Sequence, residues 1–179
     1  MIKWSVLNGT QYGGDTLEIE ATTYKGRGNI LLTGKLGDVM KESAQAALSF
    51  VKSNALKYGI DADVFEKTDI HIHVPEGAVP KDGPSAGVAI TTALVSAFTG
   101  KKVSHEIGMT GEVTLRGRVL PIGGLKEKSI AALRSGLKKI LIPLENQRDL
   151  EDIPHEVRDK LQIEFVETVD DVLNKALVK

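Results

Sequence analysis

The 179-residue chain carries 23 basic and 24 acidic side chains, no cysteine, and only one tryptophan, three tyrosines and four phenylalanines. A net charge of -1 offers no field for nucleic acid or an anionic membrane, and so few aromatics offer no base-stacking surface. Without a thiol there is no disulfide, no thiolate metal site and no cysteine nucleophile. At 41% hydrophobic and 26% charged the chain can bury one sizeable core. No apolar run reaches the length of a bilayer span, and the N-terminus has no signal-peptide pattern, so no membrane partner is expected.

In chain order, residues 4–7 and 16–24 read as strands, the second alternating Leu17, Ile19 and Ala21 against Glu18, Glu20 and Thr22, with Gly9, Gly13 and Gly14 in the turn between them. A turn over 25–29 leads to a short strand, 30–33. A helix then runs from Gly37-Asp38 to about Tyr58, with Val39, Ala46, Ala47, Phe50, Val51 and Leu56 on its apolar side and Gly59 as its stop. Residues 69–74 form a strand with Asp69, His71 and His73 along one face.

An almost wholly apolar helix is expected from Ser85 to about Phe98, central in the fold. Residues 107–115 and 119–122 read as a hairpin turning at Arg116-Gly117-Arg118. Gly123-Gly124 opens a helix over 125–135, stopped by Gly136. A strand over 139–142, a short helix over 146–152, another before Leu161, a strand over 163–166 and a closing helix over 169–177 complete the chain. Alternating strands and helices without repeats or low-complexity linkers predict one α/β domain spanning residues 1–179.

Chemistry concentrates around Pro80-Lys81-Asp82-Gly83-Pro84-Ser85-Ala86-Gly87. A serine at a helix start faces amides without intrahelical acceptors and the positive end of the helix dipole, which suits attack on a carbonyl. The same serine also fits an ordinary N-cap. Gly83-Pro84-Ser85-Ala86-Gly87 matches the G-x-S-x-G pattern, but an intervening loop and the absence of a convincing acid and histidine downstream argue against a Ser-His-Asp hydrolase. His71-x-His73 is a chelating pattern with two ligands and no evident third. If histidine is not the base, lysine is the next candidate, provided burial or a neighbouring cation keeps it neutral. The helix opening Gly123-Gly124-Leu125-Lys126-Glu127-Lys128 supplies two, which also read as surface residues of an amphipathic helix.

Four ordered segments resemble the proteolytic domain of the Lon protease family, of the ATPase-fused bacterial and organellar type. They are His71-Ile72-His73-Val74-Pro75-Glu76-Gly77, the Pro80–Gly87 octet, Met109-Thr110-Gly111-Glu112-Val113-Thr114-Leu115-Arg116-Gly117 and Leu120-Pro121-Ile122-Gly123-Gly124-Leu125-Lys126-Glu127-Lys128. The resemblance runs on through Pro143-Leu144-Glu145-Asn146 to the last helix. It implies an α/β fold of mixed sheets and packed helices, and a serine endopeptidase in which Ser85 is the nucleophile and Lys128 the general base. Thr110 matches a threonine that helps orient the lysine amine. Asp82 belongs to the loop whose conformation separates open from occluded sites, and His71 and His73 match histidines close to the site.

The resemblance further implies unfolded or misfolded protein substrates, a six-membered ring, and a cytoplasmic location, or the mitochondrial matrix in a eukaryote. It also implies an ATPase on the same polypeptide that uses ATP and magnesium, while the proteolytic domain itself needs no cofactor or metal. No G-x-x-x-x-G-K-[ST] loop occurs here, so the chain reads as either one domain of a longer protein or a stand-alone relative, and the resemblance to the ATPase-fused type favours the first. Two other readings stay open at this point. A small-molecule kinase would use the serine loop for phosphate and have no need of Lys128. A non-catalytic scaffold module of the same fold would lack the serine or the lysine. Between the two lysines, helical periodicity through Leu125, Ile130, Ala132 and Leu133 favours Lys126 as the buried amine, whereas the resemblance selects Lys128.

Overall fold

The computed structural model describes residues 2–10, 13–75 and 83–178. Its frame is a seven-stranded mixed sheet in the order β3-β4-β2-β1-β5-β8-β9, with β1 Ile2–Thr10, β2 Gly13–Lys25, β3 Ile30–Thr33, β4 Thr68–His73, β5 Ile107–Met109, β8 Lys139–Pro143 and β9 Gln162–Val166. A separate two-stranded sheet joins β6 Glu112–Val113 to β7 Val119–Leu120. The helices are α1 Asp38–Ser53, α2 Val64–Lys67, α3 Gly87–Thr99, α4 Leu125–Arg134, α5 His155–Lys160 and α6 Val169–Ala176. Short 3-10 turns at Leu56–Tyr58 and Leu144–Asp152 complete the elements.

β1 pairs antiparallel with β2 on one side and parallel with β5 on the other, and β5, β8 and β9 run parallel. The first hairpin is longer than its sequence pattern predicts, and places Gly9, Gly13 and Gly14 inside paired strands. The sheet separates two apolar clusters. Leu17, Ile19, Ala21, Ile70, Ile72, Met109 and Leu141 face α1, α3 and α6 on one side. Ile140 and Ile142, the neighbours of Leu141, turn to the other side against Leu125 and Ala132 of α4 and Val157 of α5. This is strand alternation made physical, and it sets α3 and α4 on opposite faces of the sheet.

Three expectations from the sequence need correction. The long helix ends at Ser53, and Leu56, expected on its apolar side, is 84% exposed, and Val39 is exposed too; Met40, Ala44 and Leu48 are buried in their place. The short α2 was not expected. The strand expected over 107–115 breaks after three residues, because Gly111 takes φ 156° and a Cβ there would lie 2.6 Å from Val119 Cγ1. The chain thus leaves the main sheet after Met109, and only then forms the hairpin. The closing helix is secured by a capping box, in which the Thr168 hydroxyl accepts from the Asp171 amide and the Asp171 carboxylate accepts from the Thr168 amide.

Candidate active site

Ser85 does not cap helix α3. The helix begins at Gly87 with Ala86 as its N-cap and no side-chain cap, so the serine lies one residue ahead, in a tight turn, partly exposed. Among the described residues its hydroxyl has no hydrogen-bond partner, whereas its carbonyl accepts from the Gly111 amide at 2.8 Å. The Gly111 carbonyl accepts in return from the Val88 amide at 3.0 Å. This reciprocal pair fastens the serine turn to the kink after β5. Gly87 makes the approach possible: a Cβ there would stand 3.0 Å from the Val113 amide nitrogen.

The same exchange uses up helix-start amides that sequence reasoning expects to be free. The Gly87 amide donates to the Pro84 carbonyl at 3.2 Å and the Val88 amide to Gly111. Donors for an oxyanion at this turn would then have to be sought elsewhere, for instance in the amides just ahead, at Ser85 and Ala86.

Thr110, fully buried, is held at the end of β5 by its amide, which donates to the Leu141 carbonyl of β8 at 3.2 Å. Its hydroxyl reaches the Ser85 carbonyl at 3.4 Å, a long bond. That contact differs from the expected one with the lysine amine. A hydroxyl that donates once keeps lone pairs for accepting, so the Ser85 contact leaves Thr110 able to accept from an amine.

The two lysines of α4 part company. Lys128 is 4% exposed, while Lys126 projects into solvent. The face that packs is Leu125, Lys128, Ser129 and Ala132, spaced i, i+3, i+4 and i+7; Ile130 and Leu133 are only partly covered. Periodicity taken from the apolar residues alone therefore selects the wrong amine, because a lysine and a serine occupy the buried stripe. Burial lowers the Lys128 ammonium from the usual lysine range to about 8, and among the described residues no carboxylate pairs with it. An amine in this state is substantially neutral near pH 8 and can take a proton.

His71 and His73 sit on β4, on the sheet face opposite Ile70 and Ile72. Both ring nitrogens converge on one hydroxyl, Thr33 Oγ1, at 2.8 Å to His71 Nε2 and 2.6 Å to His73 Nδ1. One hydroxyl hydrogen cannot be donated to both rings, so at least one of the two histidines donates its N–H to Thr33 Oγ1. Thr33, on the neighbouring strand, gives no such signal in the sequence. No group of three or more potential metal ligands exists among the described residues. Asp82 lies outside the described residues. No described helix is long and apolar enough to cross a membrane.

Residues 4–179 match the family model of the Lon protease (S16) C-terminal proteolytic domain. The chain is 60% identical over 170 residues to the Lon protease of Desulforamulus reducens, covering 95% of this chain and 21% of that protein. It is 62% identical over 169 residues to Lon protease 1 of Bacillus subtilis, covering 94% and 22%, and 64% identical over 163 residues to the Lon protease of Mycoplasma mycoides, covering 91% and 20%. It thus spans about a fifth of the length of the curated relatives it matches. With a serine turn, a buried lysine and a match running almost end to end, the chain belongs to the Lon protease family as its C-terminal serine-peptidase domain.

Proposed function

We propose that the domain hydrolyses peptide bonds with Ser85 as nucleophile and Lys128 as general base. The observation that carries this is the buried amine of Lys128, lowered to about 8; among the described residues no carboxylate pairs with it and the hydroxyl of the serine turn is uncommitted. Neutral Lys128 takes the Ser85 proton as Oγ bonds to the scissile carbonyl carbon. Amides ahead of α3 hold the oxyanion. The resulting ammonium returns the proton to the leaving amine as the C–N bond breaks, and the acyl-serine remains. Lys128 next takes a proton from water, whose oxygen attacks the ester carbon; as the ester C–O bond breaks the ammonium returns that proton to Oγ, freeing the acid and Ser85. Thr110 accepts a hydrogen bond from the amine and so aims its lone pair at Oγ. The reading needs no metal and no cofactor in this domain.

In the whole protein the reading is ATP-dependent degradation of unfolded or damaged proteins. An ATPase on the same polypeptide does the unfolding with ATP and magnesium, the proteolytic domains form a six-membered ring, and the setting is the bacterial cytoplasm. Support comes from relatives several times longer than this chain that are Lon proteases of bacteria. The test is to incubate the 179-residue chain, without ATP, with an unstructured fluorogenic peptide and with a stably folded protein. The peptide is expected to be cut and the folded protein spared; ATP-free degradation of the folded protein, or no cleavage of either, contradicts the reading.

A further inference from the structure

Between β7 and α4 the chain has no regular structure, yet the first turn of α4 must hold the Lys128 amine in place. Asn146, fully buried in the 3-10 turn after β8, supplies the missing partner. Its Oδ1 accepts from the Ile122 amide at 2.9 Å, and its Nδ2 donates to the Ile122 carbonyl at 2.8 Å and to Asp149 Oδ2 at 2.8 Å. One side chain thus satisfies both backbone groups of a residue three positions ahead of the helix, as a neighbouring strand would. Exchanging the amide's O and N would place like against like at all three contacts, so a single orientation is dictated.

The clamp has a second consequence. β8, which ends three residues before Asn146, accepts the Thr110 amide through Leu141, and Thr110-Gly111 in turn holds the carbonyl of Ser85. The serine turn, the Thr110 kink and the entry to α4 are all referenced to one strand and the turn that follows it. Resting on the Ser85–Lys128 reading, we propose that Asn146 is a positioning residue that fixes the Lys128 amine against the serine turn by holding Ile122 to the end of β8. It touches no substrate.

The test follows Ser85 acylation by a fluorophosphonate probe from pH 6 to 10 in the 179-residue chain and in Asn146→Leu, which keeps the bulk and removes every bond. Folding is checked by circular dichroism. The maximal acylation rate is expected to fall about 10²-fold, the loss that follows a misplacement of roughly 1 Å. The KM for a fluorogenic peptide should hold, and the pH midpoint should rise as water reaches the loosened amine. If Asn146→Leu does not fold, Asn146→Ser, small enough to admit a bridging water, should show the same changes at lower amplitude. A folded variant with wild-type rate, or a slower one with an unmoved pH midpoint, overturns the proposal, because a merely structural clamp has no reason to move the amine's ionisation. Failure of the parent reading looks different: Ser85 of the unaltered chain would not label, or would label without pH dependence.

Discussion

Lys57 and Lys128 belong to regions that treat the same side chain in opposite ways. Lys57 stands at a groove of about 960 Å³ lined by Tyr58, Val95, Asp170 and Leu173. Its ammonium is well exposed and paired with Asp170, which also accepts from the Tyr58 hydroxyl at 2.9 Å. Burial favours the protonated Asp170, but the Lys57 and Tyr58 hydrogen bonds outweigh it and lower the carboxyl, while burial and that carboxylate raise the Tyr58 phenol. Lys128 is enclosed and without a carboxylate among the described residues. The groove gives its cation water and an anion; among the described residues the first turn of α4 gives Lys128 neither. An exposed ion pair contributes about 0–1 kcal/mol. A lysine lowered from 10.5 to about 8 costs the folded state on the order of 3 kcal/mol while charged, at about 1.4 kcal/mol per pKa unit.

The largest expected effect is at Lys128. Lys128→Met should abolish Ser85 acylation, by ~10³-fold or more, and should at the same time stabilise the fold. The folded-state amine has the depressed ionisation, so the unfolded chain binds more protons between pH 8 and 10.5. Wild-type stability therefore rises with pH through that window, and is lowest, relative to the methionine variant, below about 8. Urea unfolding at pH 7 and at pH 10 checks this: Lys128→Met should lead at pH 7 and lose most of that lead at pH 10. A variant less stable than wild type at pH 7 would break the comparison. Lys126→Met, on the solvent side of the same turn, should keep substantial activity.

The smallest effect is in the groove. Lys57→Met removes an exposed pair, and should change stability by no more than about 1 kcal/mol, less in high salt, with peptidase activity unaltered. Thermal unfolding at low and high salt, run beside a peptidase assay, measures both. A larger loss, or a loss of activity, would mean that the groove is coupled to the site.

What the sequence could and could not reveal follows the range of the interactions. Strand alternation over residues 69–74 and the apolar run of α3 are local patterns, and the structure carries both. Ser85 and Lys128 were identified by resemblance; the local signals alone pointed to an N-cap and to Lys126. The N-cap reading fails because the helix starts two residues later, when Gly87 packs on Val113. The Lys126 reading fails because a buried stripe containing Lys128 and Ser129 has no apolar signature. Thr33 and Asn146 were missed for one reason: each acts on a residue at least 24 positions away, and a threonine ending a strand or an asparagine in a polar turn looks ordinary until its partner is known.

The central claim is that Lys128, neutral by burial, is the base for Ser85. Its most direct test is the rate of Ser85 acylation in the unaltered chain from pH 6 to 10. The account predicts a rise through a single ionisation near 8, unmoved by replacing His71 or His73 with glutamine. A flat profile, or a midpoint in the ordinary histidine range near ~6.5 that shifts when either histidine is replaced, would contradict it.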